Sequence, residues 1–372
     1  MGILSYVIWN GSPEIFSMGS FSLRWYGLFF ALGFLISQQI LYYIYRREGK
    51  PEKDVDTLTI YMVIATILGA RLGHVLFYQR EIIWEDPFAI LLPFEFSPFR
   101  FTGLQGLASH GAAIGILFAL WLYSRKKKPG QNYLQVVDRI VILVALTGAL
   151  IRLGNYFNAE IIGKPTEKPW GVVFTGRLTE LASDERTDKD GILEDIVYIK
   201  NDSLERKEDG RVPLLIYFFF KPGATEEQID FYLNRQVRPL LLNRLVEFFD
   251  DSHHLRMDFA TAKPEGGGFV AKVKTYGVAR HPAQLYEAIA CIILFVLLLL
   301  IWLKYKEKLP AGRLLGIFLI WCFGLRFVFE FLKENQADFE SGLPLNMGQI
   351  LSIPLFIAGI LILILSYRQK DT

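Results

Sequence analysis

Long apolar blocks separated by short polar connections make up most of this chain. Seven blocks, approximately 21–45, 54–78, 106–124, 133–151, 282–303, 312–333 and 347–367, approach or exceed the roughly 17–25 residues that cross a hydrocarbon core. Each is predicted as a transmembrane helix; the third and fourth are the shortest, and Ile350 to Tyr367 is the most purely apolar. A different pattern fills about residues 164–279. Asp195 to Ile199 and Leu214 to Phe220 read there as strands. Thr225 to Phe249 carries Ile229, Leu233, Val237, Leu241 and Leu245 at four-residue spacing, which predicts helix. Asp184 to Asp190 and Pro264 to Gly268 read as loops. The expected fold is an all-α polytopic membrane protein of seven helices with an external α+β head region between helices 4 and 5. Its parts are a membrane portion 1–163, the head region 164–279 and a second membrane portion 280–372.

Basic residues orient the spans. One alternating set of connections holds Arg46, Arg47, Lys50 and Lys53, then Arg125 to Lys128, then Lys304, Lys306, Lys308 and Arg313, and finally Arg368 and Lys370. The opposite short connections hold only Arg80 and Arg100, and residues 1–20 contain neither Lys nor Arg. The positive-inside rule then puts the N-terminus outside and the C-terminus in the cytoplasm, which an odd number of spans requires. Trp9, Pro13, Ile15 and Phe16 read as an interfacial segment on the outer surface, and no cleavable signal is expected. With 52% hydrophobic residues gathered in blocks, an ordinary soluble enzyme is excluded. A net charge of +2 gives no field for nucleic acid. Cys291 and Cys322 fall mid-span and read as packing residues, so neither a disulfide framework nor a metal site is expected.

Candidate chemistry lies where polar residues interrupt the blocks. Arg152, Asn155, Asn158 and Glu160 crowd the end of the fourth block. Such groups at membrane depth are costly unless they pair, meet a ligand or face a wet cavity. The bland alternative is a snorkelling arginine beside an asparagine turn. Tyr26, Arg71, His110, Arg280, Gln284, Glu287, Arg326 and Glu330 fall in the same predicted outer half of their spans, whereas the inner halves are nearly free of polar groups. A polar cavity open to the outer leaflet accounts for that bias. Arg71, Arg152, Arg280 and Arg326, partly balanced by Glu160, Glu287 and Glu330, suit an anionic headgroup, because guanidinium forks match phosphate geometry. For Arg326 and Glu330, four residues apart, a structural ion pair is the competing account.

These residues stand in motifs that resemble the prolipoprotein diacylglyceryl transferase family. Arg152-Leu-Gly-Asn-Tyr-Phe-Asn-Ala-Glu-Ile-Ile-Gly163 is similar to its signature. Leu23 to Gly27, Ala70 to Gly73, Arg280 to Glu287, Arg326 to Phe331 and Met347 to Pro354 match further motifs in the family's order. Two positions depart from it: Ala112 stands where the family usually has a second Gly after His110, and Ile151 stands where it has Gly. The head region is longer than usual, with only Pro169-Trp170-Gly171 similar to a family segment.

The resemblance implies transfer of a diacylglyceryl group from phosphatidylglycerol to the lipobox cysteine of a prolipoprotein signal peptide, in the bacterial inner membrane and without a cofactor. A thiol of pKa about 8.5 must lose its proton to attack the glyceryl carbon, and the departing phosphate gains charge that arginines can stabilise. Arg152 and Arg280 are then expected to hold the phosphate. Asn155, Asn158, Glu160 and Gly163 would shape the headgroup site, with Gln284, Glu287, Arg71, Arg326 and Glu330 as further binding residues. Tyr26 would orient lipid or thiol, and His110 would serve as general base; electropositive surroundings without a base are the alternative. A membrane transporter for an anionic solute is the rival from another class. It would need polar groups continuing to the cytoplasmic side, where spans one, five and seven are almost purely apolar.

Overall fold

The computed structural model of the protein describes residues 6–18, 21–85, 90, 94–96, 99–101, 106, 108–184, 186–202, 205–207, 209–250, 259–262, 267–334 and 344–368. Strands β1 (Val7–Trp9), β2 (Glu14–Met18) and β3 (Phe21–Arg24) precede helices α1 (Trp25–Arg47), α2 (Glu52–Tyr78) and the single turn α3 (Ile82–Glu85). Strands β4 (Phe94–Phe96) and β5 (Phe99–Phe101) follow, then α4 (Ser109–Ser124) and α5 (Tyr133–Phe157). The middle of the chain forms β6 (Val172–Phe174), α6 (Gly176–Ala182), β7 (Leu193–Lys200), β8 (Arg211–Phe220), α7 (Glu226–Phe231), β9 (Phe249–Asp250), β10 (Phe259–Ala262) and β11 (Val270–Val278). Helices α8 (Ala283–Tyr305), α9 (Arg313–Phe329) and α10 (Met347–Arg368) complete it.

Among the described residues, six helices are long and apolar enough to cross a membrane: α1, α2, α5, α8, α9 and α10. The third predicted block forms α4, which has 16 residues and falls short of that length. Its first turn reaches unusually close to α2. A Cβ on Gly111 would stand 2.2 Å from the Gly69 carbonyl oxygen and 2.7 Å from the Gly73 Cα. Backbones approach this closely only where side chains are absent.

Three expectations are corrected in detail. Residues 21–24, assigned to the first span, pair instead as β3 with β2, because Phe21-Ser22-Leu23-Arg24 alternates at the period of a strand. Part of the supposed interfacial segment is β1, which pairs in parallel with β6, Val7 opposite Val172. The fourth span does not end at Ile151 but continues as helix to Phe157, so Arg152 and Asn155 are helical. Residues 264–266 of the expected Pro264–Gly268 loop, and Lys370, lie outside the described residues.

Backbone contacts divide the chain into two compact units. The first comprises Met1–Leu32, Ala149–Ala290 and Leu325–Leu351. Its five-stranded sheet runs in the order β10-β11-β8-β7, with β9 also pairing β11. Leu214, Ile216, Phe218 and Phe220 of β8 point inward, as the period of two requires. They pack with Phe174, Leu178, Ile229, Tyr232 and Leu241 in one apolar core. The predicted 225–249 helix begins with a capping box between Thr225 and Gln228. It then loosens into π-helical turns at Tyr232–Val237 and Leu240–Arg244, on either side of Pro239. What this unit does for the site is deliver Arg280, two residues beyond β11, at a fixed place.

The second unit comprises Gly33–Gly148, Cys291–Gly324 and Ser352–Thr372. Leu41, Ile44, Leu58, Leu120, Ile140, Leu294, Leu298 and Trp302 form its core. Large apolar side chains such as Leu35, Ile64, Leu117, Ile293, Leu300 and Leu361 point outward, as lipid-facing helices require. At its basic end, Glu48 accepts from Arg139 (2.8 Å), Lys50 (2.6 Å) and the Trp302 indole (2.7 Å). Asp54 takes Lys128 and Gln131. A cavity of about 550 Å³ opens among these groups. Burial pushes the Glu48 carboxyl up, but Arg139, Lys50 and Trp302 outweigh it and hold the group below its usual range. Because the wall's charges satisfy one another, this cavity is not the candidate site.

Candidate active site

Tyr26 opens α1, and Gly154 of α5 packs directly on it. A Cβ at Gly154 would lie 2.9 Å from both the Cα and the Cδ2 of Tyr26, so the Arg-Leu-Gly-Asn order places a bare helix face there. Trp25 meets Phe157, ring centroids 4.9 Å apart, and fixes the same crossing from its other side. Within the last turns of α5, Arg152 and Asn155 then face the turn that follows.

Ala159 and Ile161 hold that turn at φ of 51° and 56°, a left-handed conformation that costs a residue with a Cβ. The turn returns Glu160 toward the helix. Asn155 donates to Glu160 Oε2 (3.2 Å) and Asn158 to Oε1 (3.3 Å). Arg152 contacts Asn155 Oδ1 at 3.4 Å and pairs through Nε with Glu287 at 2.6 Å. Gln284, 1% exposed, donates to the Glu160 carbonyl. The Gly163 N–H donates to the His281 carbonyl (3.0 Å), tying the end of the signature to the start of α8.

Arg280 is clamped along its backbone. It exchanges both hydrogen bonds with Val172 at 2.9 Å, so β6 extends onto it. Its guanidinium donates to the Glu247 carbonyl (2.7 Å), the Gly163 carbonyl (3.0 Å) and Glu334 (2.8 Å) through Nε and Nη1. Among the described residues nothing accepts from its Nη2, nor from that of Arg152. Two more groups lack partners among the described residues: the buried amide oxygens Asn158 Oδ1 and Gln284 Oε1. The site therefore offers arginine donors and unfilled acceptors together.

Charge continues along the far side of Glu287. Lys333, 3% exposed, pairs with Glu287 and with Glu330 (3.3 Å). Glu330 is reached also by Asn346 (3.2 Å) and, more loosely, by Arg326 (3.8 Å). A reading by depth missed Lys333, because a lysine closing an apolar block looks like an anchor. Its one signal was the three-residue spacing from Glu330, which keeps the two charges close at the end of α9 although Lys333 itself is extended. Beside the cluster, Trp170 donates to the Tyr286 hydroxyl (2.8 Å), which in turn reaches His281 Nδ1 at 3.1 Å. Burial, and then the charge of Lys168, push the His281 pKa below its ordinary value.

Arg71 and His110 belong to the second unit. Arg71 is 6% exposed and donates through Nε to the Ile90 carbonyl (2.9 Å). His110 is exposed in the first turn of α4, with Nε2 3.4 Å from the Tyr78 hydroxyl and its ring edge-on to Phe77.

Among the described residues, six membrane-length apolar helices and a run of alternating charges define a polytopic membrane protein with a polar cluster among its helix ends. Comparison with known proteins makes that class specific. The family described as prolipoprotein diacylglyceryl transferase matches residues 13–365. The phosphatidylglycerol–prolipoprotein diacylglyceryl transferase of Bacteroides fragilis is 33% identical over 372 residues, covering 99% of this chain and 98% of its own. Those of Tolumonas auensis and Chloroherpeton thalassium are each 32% identical, covering 98% and 100% of this chain and 99% and 98% of their own. The chain belongs to the prolipoprotein diacylglyceryl transferase family.

Proposed function

We infer that this protein is a transferase that moves the diacylglyceryl group of phosphatidylglycerol onto the lipobox cysteine of prolipoproteins. The thiolate sulfur bonds to the terminal glyceryl carbon, the bond from that carbon to the phosphate oxygen breaks, and glycerol phosphate leaves. The thiol proton goes to a base or to solvent. Family membership supports the reaction. The observation that carries it to this site is the presence there of Nη2 donors on Arg152 and Arg280 that no described residue accepts from, together with the acceptors Asn158 Oδ1 and Gln284 Oε1 that lack a partner among the described residues. The donors suit a phosphate, and the acceptors suit the hydroxyls of a glycerol headgroup.

In this reading Arg152 and Arg280 stabilise charge on the leaving phosphate. Glu160 and Asn155 hold the turn, while Glu287, Lys333 and Glu330 brace Arg152. Arg326 and Arg71 contribute positive potential. Tyr26 orients the lipid or the incoming thiol, and His110 is the candidate base for the thiol proton. Counting α4 gives seven spans, and the basic connections support an outside N-terminus, a cytoplasmic C-terminus and an active site facing the outer leaflet of a bacterial inner membrane. Residues 164–279 would then be external. The transporter reading finds no support among the relatives. Purified protein incubated with labelled phosphatidylglycerol and a lipobox peptide should yield a thioether-linked diacylglyceryl peptide and glycerol phosphate. Well-folded protein that yields neither would overturn the reading.

A further inference from the structure

Buried or half-buried cations at the basic end of the second unit come with acidic partners: Arg139 and Lys50 with Glu48, and Lys128 with Asp54. Arg313, the first residue of α9, is the exception. It is 5% exposed, it forms no ion pair with a described residue, and its Nε and Nη2 are buried without a hydrogen-bond acceptor. The carboxylate of Asp138 is already engaged, accepting the N–H groups of Gly312 and Leu315 (2.8 Å each) to cap α9. Arg313 meets aromatic rings instead, Tyr367 at 4.3 Å and Tyr305 at 5.8 Å from the ring centroids.

A guanidinium cannot discharge by losing its proton, so burial without an acceptor is unfavourable in every state of the free protein. Ring contacts satisfy the flat face of the cation, while its N–H groups radiate in the plane and still require acceptors. Lys304, Lys306, Lys308 and Arg368 flank the same helix ends in sequence, a setting that attracts anions and that anionic membrane surfaces match. We propose that Arg313, framed by Tyr305 and Tyr367, binds the phosphate of an anionic phospholipid in the adjacent leaflet. The site uses none of the residues of the candidate active site. A structural lipid bound there would clamp the end of α8, the start of α9 and the end of α10.

Tyr367 is 58% exposed and Leu361, on the same helix, is 57% exposed, so both tolerate a photo-crosslinking side chain. Protein carrying Tyr367→p-benzoylphenylalanine is reconstituted in vesicles of phosphatidylglycerol and phosphatidylcholine in equal parts, and the lipid adducts are weighed by mass spectrometry. Leu361→p-benzoylphenylalanine reports the bulk composition from within the acyl region. Adducts at 367 should be enriched in phosphatidylglycerol relative to those at 361, and Arg313→Gln in the same background should return the ratio to bulk. Equal composition at 367 and 361 in protein retaining Arg313 overturns the proposal, whether or not Arg313→Gln folds. Added inorganic phosphate should compete with that enrichment, if at all, only at high concentration; protein that shows no enrichment at 367 yet is stabilised by inorganic phosphate through Arg313 assigns the site to a free anion and overturns the lipid proposal.

Discussion

Lys333→Met tests the buried charge run most sharply, because it removes one cation and little volume. Lys333 is 3% exposed and touches two carboxylates that are themselves 8% and 5% exposed, Glu287 and Glu330. Breaking a buried ion pair from one side costs about 3–5 kcal/mol, chiefly through the charge left behind. Both carboxylates keep other partners here: Glu287 retains Arg152 at 2.6 Å, and Glu330 retains Asn346 at 3.2 Å with Arg326 at 3.8 Å. The loss therefore belongs at the lower end, about 3 kcal/mol, or somewhat more than a hundredfold in the folding equilibrium. Lys333→Arg should recover most of it, since a guanidinium also bridges two carboxylates. Combining Lys333→Met with Glu287→Gln should fall short of the summed losses by about 0.5–3 kcal/mol, because the second change removes the charge stranded by the first. Denaturation in one detergent, read by intrinsic fluorescence and by residual transfer activity, supplies every number. A Lys333→Met protein that denatures like the parent, with effects additive to Glu287→Gln, would refute the reasoning.

Arg280→Ala should lower transfer by about 10²–10³, and Arg280→Lys should restore only part of it, because a compact ammonium lacks the planar fork that reaches Glu247, Gly163 and phosphate from separate nitrogens; full activity in Arg280→Ala removes the residue from the phosphate site. Gly154→Val forces a side chain onto the Tyr26 backbone and should cost about 1–3 kcal/mol, measured as a lowered midpoint; an unchanged midpoint would show that the two helices separate freely. His281 has a depressed pKa when folded, so the unfolded chain binds its proton more readily; the stability this contributes is present above about pH 6.5 and is lost as pH falls through the folded pKa. His281→Gln should flatten the acid side of the stability profile, and an unaltered slope would count against it. If His110 is the base, His110→Gln should cut the rate by about 10²–10⁴ and erase the acidic limb of the pH–rate profile; a retained limb leaves the residue merely hydrogen-bonded to Tyr78.

The membrane helices were legible because length and apolarity alone decide whether a segment can satisfy its backbone in lipid. Strand periodicity likewise exposed β7 and β8, where one face is buried. Boundaries were less legible where polar residues continue a helix. Arg152 and Asn155 look like an exit from the bilayer, yet α5 persists to Phe157, where Glu287 pairs with the Arg152 charge and Glu160 accepts from Asn155. No local pattern discloses partners 135 positions away, as Glu287 is from Arg152. Lys333 was hidden because a lysine that closes an apolar block looks like an anchor.

Those distant partners also bear on how the site would work. A free arginine loses up to about 2 kcal/mol of side-chain entropy when a ligand fixes it. Here Arg280 is already held by two carbonyls and Glu334, and Arg152 by Glu287 and Asn155. The proposed phosphate contact would thus fall to Nη2 groups that are positioned before lipid arrives, and the ordering cost would be met during folding. Charge developing on the leaving phosphate then meets donors that need not reorganise, which is the condition under which electrostatic stabilisation favours the transition state over the bound lipid. The same argument assigns the carboxylates a role other than neutralisation. Glu287→Gln would leave Arg152 more cationic in its surroundings but less fixed. If preorganisation matters more than net positive charge, that variant loses turnover while its affinity for phosphatidylglycerol holds or rises; if net charge matters more, turnover rises with affinity.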